Sequence, residues 1–190
     1  HSNGIFCFHD WGSGSFYRFK QRGLSEYSIV QQEIRAGQDL LAFSADKLLG
    51  GIQAGVLLGK SENIQKLRNH SLYRVLRLDK VTLALLEETL EAYLEIKRLP
   101  DLVPTVGMLE LTFDEIQKKV KFFMEKLKFT NESAWECVLH KTESFTGGGA
   151  LPELPLESAA LVLSHPERSA NDLQEWFRSL PVPIIARVHE

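Results

Sequence analysis

Cysteine is nearly absent. The chain of 190 residues holds two, Cys7 and Cys137. They lie too far apart for a metal-type pair, and two thiols are too few for a disulfide framework. A reducing cytosol, and hence a cytoplasmic location, is the expectation. Basic excess is missing too. With a net charge of −3 and a pI of about 6.1, no global polycation recruits nucleic acid, although a local patch could. No run of about 18 apolar residues occurs, which argues against a membrane span. Internal repeats and low-complexity tracts are absent as well. The chain shows no initiating Met and no signal peptide. An apolar run begins almost at once, and the chain stops just after the strand-like VPIIARV. A segment of a larger protein is expected.

The hydrophobic content, 44%, suffices for one sizeable core, or for a large unit and a small one. Short apolar runs alternate with helical patterns. GIFCF (4–8), DLLAF (39–43) and QAGVLL (53–58) read as strands. SEYSIVQQEIRAG (25–37) reads as a helix capped by Ser25 and stopped by Gly37, and SENIQKLRNH as a second helix capped by Ser61. A long helix starts at Asp79, with Val81, Leu85, Leu86, Leu90, Tyr93 and Leu94 at helical spacing. LPDLVP (99–104) breaks it with two prolines, so a domain boundary is expected there, separating residues 1–98 from 99–190. The second part reads as helix 113–127, strand 134–141, glycine and proline loop 145–155, strand 158–164, helix 169–180 with Ser169 or Asn171 near its cap, and strand 182–188. The class is α/β.

One stretch stands out, FSADKLLGGIQAG at 43–55. It puts Lys47 after a buried strand and before a glycine turn. A lysine there is partly desolvated, and an amine so held can attack an aldehyde cofactor. The plainer reading is a loop lysine paired with Asp46. Ser44 and Lys47 also spell S-x-x-K, but the companion elements of a serine acylase are missing. AGVLLGKS (54–61) falls short of a phosphate loop, because Ala54 stands where the motif needs glycine. It reads as a strand ending in a turn. Asp10 precedes GSGS at a strand end, where a carboxylate can face a ligand crevice and pair with a protonated pyridine nitrogen; its plain role is to form a turn. LYRVLRLDK (72–80) carries Arg74 and Arg77, three apart and on one face if the segment is helical. Such a pair clamps an oxyanion, or forms a solvated basic face.

Together, FSADKLLGGIQAGVLLGK and LYRVLRLDKVTLALLEETLEAYL resemble the bacterial selenocysteine synthase family, the L-seryl-tRNA(Sec) selenium transferases. DWGSGS, GGGALPELPLESAAL and PVPIIARV resemble further blocks of that family in the same order, so the likeness spans essentially the whole chain. It implies a fold-type-I pyridoxal 5′-phosphate transferase. Residues 1–98 would be the C-terminal half of the large cofactor domain with its linking helix, and 99–190 the small C-terminal α/β domain. It also implies a homo-oligomer, a dimer-based ring with sites at subunit interfaces. The implied reaction converts the selenocysteine tRNA charged with serine to selenocysteinyl-tRNA(Sec), with selenophosphate as donor, through an aminoacrylyl intermediate. By the same resemblance Lys47 would hold the cofactor and Asp10 would face its ring nitrogen. Asp46 would assist proton handling, Ser44 would reach the phosphate, and Arg74 and Arg77 would bind selenophosphate or substrate. Ala45, Ile52 and Trp11 depart from the family pattern, and Ala45 adds a methyl near Lys47. The family's phosphate cup and tRNA-gripping domain lie outside these residues, so the chain alone is expected to be inactive. Two other readings stand beside this one. The first is a pyridoxal phosphate lyase acting on a small amino acid or sugar acid. The second is a non-catalytic tRNA-binding or assembly module.

Overall fold

The computed structural model describes residues 5–20, 23–127, 134–147, 150 and 154–188. The chain divides into two compact units, residues 1–111 with 144–156, and residues 112–143 with 157–190.

The first unit is built on a three-stranded sheet in the order β1 (Phe8–Gly12), β2 (Leu40–Ser44), β3 (Gly55–Gly59). β1 runs parallel to β2, with His9 opposite Leu41 and Asp10 opposite Ala42, and the register shifts between Asp10 and Gly12. β3 runs antiparallel to β2, with Ser44 opposite Gly55. β2 is the central strand, and its apolar sequence LLAFS follows from that place: Leu40, Leu41 and Phe43 are all buried. The first strand sits later than its sequence suggests. Ile5 and Phe6 are exposed, and the ladder begins at Phe8, where the buried residues of β2 set the pairing.

Between β1 and β2 the single expected helix is split. A 3-10 turn spans Leu24–Glu26, and α1 (Val30–Arg35) starts only after an extended Ile29. Tertiary contacts override the local pattern here. Val30 is buried and donates its N–H to Ser15 O at 2.9 Å. Tyr27 stacks on Trp11 with ring centroids 5.4 Å apart. Gln32 Oε1 then takes the Ile29 N–H at 3.1 Å, in place of a cap by Ser25.

After β3 come α2 (Ser61–Asn69), α3 (Ser71–Leu76) and α4 (Lys80–Ala92). Lys60, not Ser61, occupies the α2 cap position, without a side-chain cap bond. Asp79 caps α4, accepting from Val81 N at 2.8 Å and Thr82 N at 3.0 Å. The prolines of LPDLVP do not separate domains. They sit in the first turns of two short helices, α5 (Leu99–Leu102) and α6 (Pro104–Glu110), where a missing N–H costs nothing. Leu99, Val103 and Val106 are buried in the core of the first unit with Leu41, Phe43 and Tyr93. The units accordingly part after Leu111, not at 98/99.

The second unit holds α7 (Phe113–Lys126), most of β4 (Glu136–Ser144) and β5 (Leu156–Ser164), and α8 (Ala170–Arg178). Thr112 with Glu115, and Ser169 with Asp172, form capping boxes at the two helix starts. Trp135 packs against Trp176 and Phe177, with centroids 5.8 and 6.4 Å away. The strand expected at 182–188 does not form. Its backbone joins no ladder among the described residues, and Val182 and Ile185 are exposed, since β-branched sequence without a strand partner stays unpaired. Part of the 145–155 loop, namely 148–149 and 151–153, lies outside the described residues.

Candidate active site

β2 delivers its chain into a tight turn, Ala45–Leu49, at the C-terminal end of the parallel pair β1–β2. Backbone bonds close the turn on itself. Ala45 N donates to Ala54 O at 2.8 Å, Gly50 N to Lys47 O at 2.9 Å, and Gly51 N to Ala45 O at 2.8 Å. Ala45, Leu48 and Leu49 are fully buried and root the turn in the core. The Ala45 methyl therefore belongs to the packing. Gly50 needs to be glycine, because its φ is +74° and a Cβ would stand 2.6 Å from Val103 Cγ1. Tyr93, which follows α4, reaches in from below, and its hydroxyl donates to Leu49 O at 2.8 Å.

Between these buried neighbours, Asp46 is exposed and Lys47 half-buried. The lysine turns toward the end of β1. A Cβ placed on Gly12, whose φ is +72°, would lie 3.7 Å from Lys47 Nζ. So the amine rests over the bulged end of the strand that carries Asp10. It makes no ion pair and no side-chain hydrogen bond among the described residues, and this overturns the plain reading of a lysine paired with Asp46.

Ser44, Asp46 and Lys47 lie where β2 stops. Asp10 lies mid-strand on the neighbouring β1, opposite Ala42, because β1 runs on to Gly12 and does not end at Asp10 as the sequence suggests. β1 sets the Asp10 side. His9 and Trp11 flank Asp10 in the strand, and both are held by α1 and the segment before it: His9 Nδ1 meets Glu33 Oε2 at 3.1 Å and Trp11 stacks on Tyr27. Asp10 itself is exposed. Ser44 ends β2, half-buried. Burial pushes the Tyr27 hydroxyl above its usual range, and Glu33 adds to the effect.

Arg74 and Arg77 do not share a helix face. α3 ends at Leu76, and Arg77 is extended (φ −66°, ψ 130°) because residues 77–79 form the link into the Asp79 cap of α4. Both arginines are exposed, and no hydrogen bond or ion pair among the described residues ties their side chains to the Lys47 turn. Ser44 and Lys47 lie on a strand and in a turn, not at a helix start, so the serine acylase arrangement is absent; residues 54–61 form β3 and the start of α2.

A cleft of about 490 Å³ lies on α4 and α5, lined by Gly50, Thr89, Val103, Glu88, Glu91 and Glu95 among others; Lys47 is not in its wall. No group of three or more His, Cys, Asp or Glu among the described residues is placed to hold a metal ion. No helix among them is long and apolar enough to cross a membrane. Two site features escape the sequence reading. In the sequence Gly12 reads as a loop glycine, although its place two residues past Asp10 marks the strand end. Tyr93 reads only as an apolar position of a helix, although a phenol in such a row needs a hydrogen-bond partner once buried.

Comparison with known proteins gives these residues a family. The family model for L-seryl-tRNA selenium transferase matches residues 1–190. A protein from Actinobacillus pleuropneumoniae named L-seryl-tRNA(Sec) selenium transferase is 40% identical over 179 residues, covering 94% of this chain and 39% of its own length. Proteins of the same name from Escherichia fergusonii and Geotalea uraniireducens are 39% and 36% identical, over 95% and 94% of this chain and 40% and 39% of their own lengths. The chain thus spans about two fifths of the length of the curated relatives it matches.

Proposed function

The chain belongs to the L-seryl-tRNA selenium transferase family, and on that premise we propose that it forms part of a pyridoxal 5′-phosphate enzyme of fold type I that turns seryl-tRNA(Sec) into selenocysteinyl-tRNA(Sec), with selenophosphate as donor. The observation that carries the proposal is the Lys47 amine, half-buried and without an ion pair among the described residues, held over the end of β1 at the carboxyl ends of two parallel strands. Ligands of open α/β sheets bind at such ends.

The residues present fit the cofactor. Its aldehyde calls for an amine free of a salt bridge, which Lys47 supplies. Its ring nitrogen calls for a carboxylate, and Asp10 stands on the neighbouring strand. Its phosphate calls for hydroxyl and N–H donors, of which Ser44 is one. When bound, pyridoxal 5′-phosphate supplies a carbonyl that captures amines and a ring that draws electrons from the adjacent carbon.

The chain's own groups do the rest. The buried turn fixes the backbone at Lys47, so less ordering remains when its amine meets an aldehyde. With the cofactor and the seryl group bound, the Lys47 amine would be the group of this chain suited to hold and move the proton at the seryl α-carbon. Asp46, exposed beside it, can exchange protons with solvent. Asp10 would be the carboxylate that faces the ring nitrogen and favours its protonated form. Arg74 and Arg77 are exposed guanidinium groups suited to an oxyanion, and as they are not fixed to each other on a helix, the donor or a further part of the assembly orders them. The assembly is read as a ring built from dimers. The setting is read as the reducing cytosol, consistent with free thiols at Cys7 and Cys137.

Turnover tests this reading. The intact protein, given seryl-tRNA(Sec), pyridoxal phosphate and selenophosphate, is expected to form selenocysteinyl-tRNA(Sec), and the Lys47→Ala variant to form none. Pyruvate and ammonia formed from free serine, with no selenium incorporated on tRNA, would point to a lyase and contradict the proposal.

A further inference from the structure

Tyr93 is buried to 8% exposure, and its hydroxyl reaches across 44 residues to Leu49 O at 2.8 Å. Within the turn the neighbouring backbone groups already have partners, since Gly50 N takes Lys47 O and Gly51 N takes Ala45 O. The Leu49 carbonyl is the acceptor through which the end of α4 grips the turn. The Tyr93 ring is itself fixed, meeting Phe16 edge-on at 5.9 Å, while Phe16 meets Phe43 of β2 at 6.0 Å. One aromatic chain thus links the strand that enters the turn to the helix that holds its exit. From this geometry we propose that Tyr93 is a positioning residue for Lys47, whose hydroxyl sets where the amine emerges over Gly12.

Burial raises the Tyr93 hydroxyl far above its usual range, which favours the neutral, donating phenol. It has no part in proton transfer and acts only through the turn. The inference rests on the reading of Lys47 as the cofactor lysine, yet its test separates the two.

Tyr93→Phe keeps the ring and removes the hydrogen bond. In the intact, cofactor-free protein, the rate at which acetic anhydride modifies Lys47 is followed against pH by peptide mass. The variant is expected to show a displaced profile at Lys47 and unchanged profiles at surface lysines such as Lys118 and Lys119. With pyridoxal phosphate added, retention of the cofactor is expected to fall, by no more than roughly fivefold, the ratio that the whole of one ordinary hydrogen bond would imply. A residue that only adds stability would lower the melting temperature and leave the Lys47 profile in place, and that result overturns the inference. A displaced profile in a protein that never captures cofactor would sustain the positioning role and sink the cofactor reading.

Discussion

The two ends of the three-stranded sheet treat charge in opposite ways. At the end where β2 begins, Asp39 is buried and fully engaged: Oδ1 accepts from Lys60 Nζ at 2.5 Å and Oδ2 from Cys7 N at 2.8 Å. These bonds, Lys60 first, hold its carboxyl below the usual carboxylate range. At the end where β2 stops, Asp10, Asp46 and Lys47 have no such partners among the described residues. A buried carboxylate must be paired to be tolerated. A half-buried amine without an ion pair, in a turn rooted by buried neighbours, is available to a ligand. Charge at the first end closes the sheet, and charge at the second is left open to a ligand.

Substitutions at each end sharpen the contrast. Lys47→Ala should have the largest effect on function and a small one on folding: the visible band of the bound cofactor disappears while the melting temperature stays near that of the native protein. Gly12→Ala should affect both. A left-handed φ costs an L-residue about 1–2 kcal/mol, and the added methyl lies against the amine, so melting is expected to fall by several degrees and cofactor capture to slow. Asp39→Asn should do the reverse of Lys47→Ala, lowering the melting temperature and leaving the band unchanged.

The Asp39–Lys60 pair also has a pH signature. The folded-state value of Asp39 lies below its unfolded value, so its contribution is complete at neutral pH, starts to fade below about pH 4, and is gone once pH drops under the folded value. Acid melting curves of the native protein and the Asp39→Asn variant should therefore converge at low pH. The smallest structural effect is expected for Arg74→Ala with Arg77→Ala. Both residues are exposed, so stability should change by no more than about 0.5 kcal/mol. The concentration of selenophosphate needed for half-maximal rate should nevertheless rise.

One side of this contrast, the Lys47 turn, is legible in the sequence; the Asp39–Lys60 pair is not, because it joins residues 21 positions apart. The buried run LLAFS followed by a lysine and glycines points to a strand and a turn, and Asp79 and Ser169 mark two helix starts correctly. These signals are local, set by side chains within four residues. What fails depends on distant partners. The 25–37 helix is divided because Val30 and Tyr27 find partners on Ser15 and Trp11. The prolines at 100 and 104 read as breakers when they are helix openers. Residues 182–188 read as a strand because periodicity cannot report whether a neighbouring strand is there. Among site residues, the place of Lys47 in a turn after β2 follows from the local sequence, whereas the clamp from Tyr93 to Leu49 joins residues 44 positions apart and leaves no local trace.

Everything proposed for this site depends on Lys47, and one measurement addresses it directly. The intact protein is loaded with pyridoxal phosphate, reduced with borohydride, digested, and its peptides weighed. A single pyridoxyl adduct is predicted, on the peptide that contains Lys47. An adduct on another lysine, or none on a protein that still turns over, would contradict the assignment.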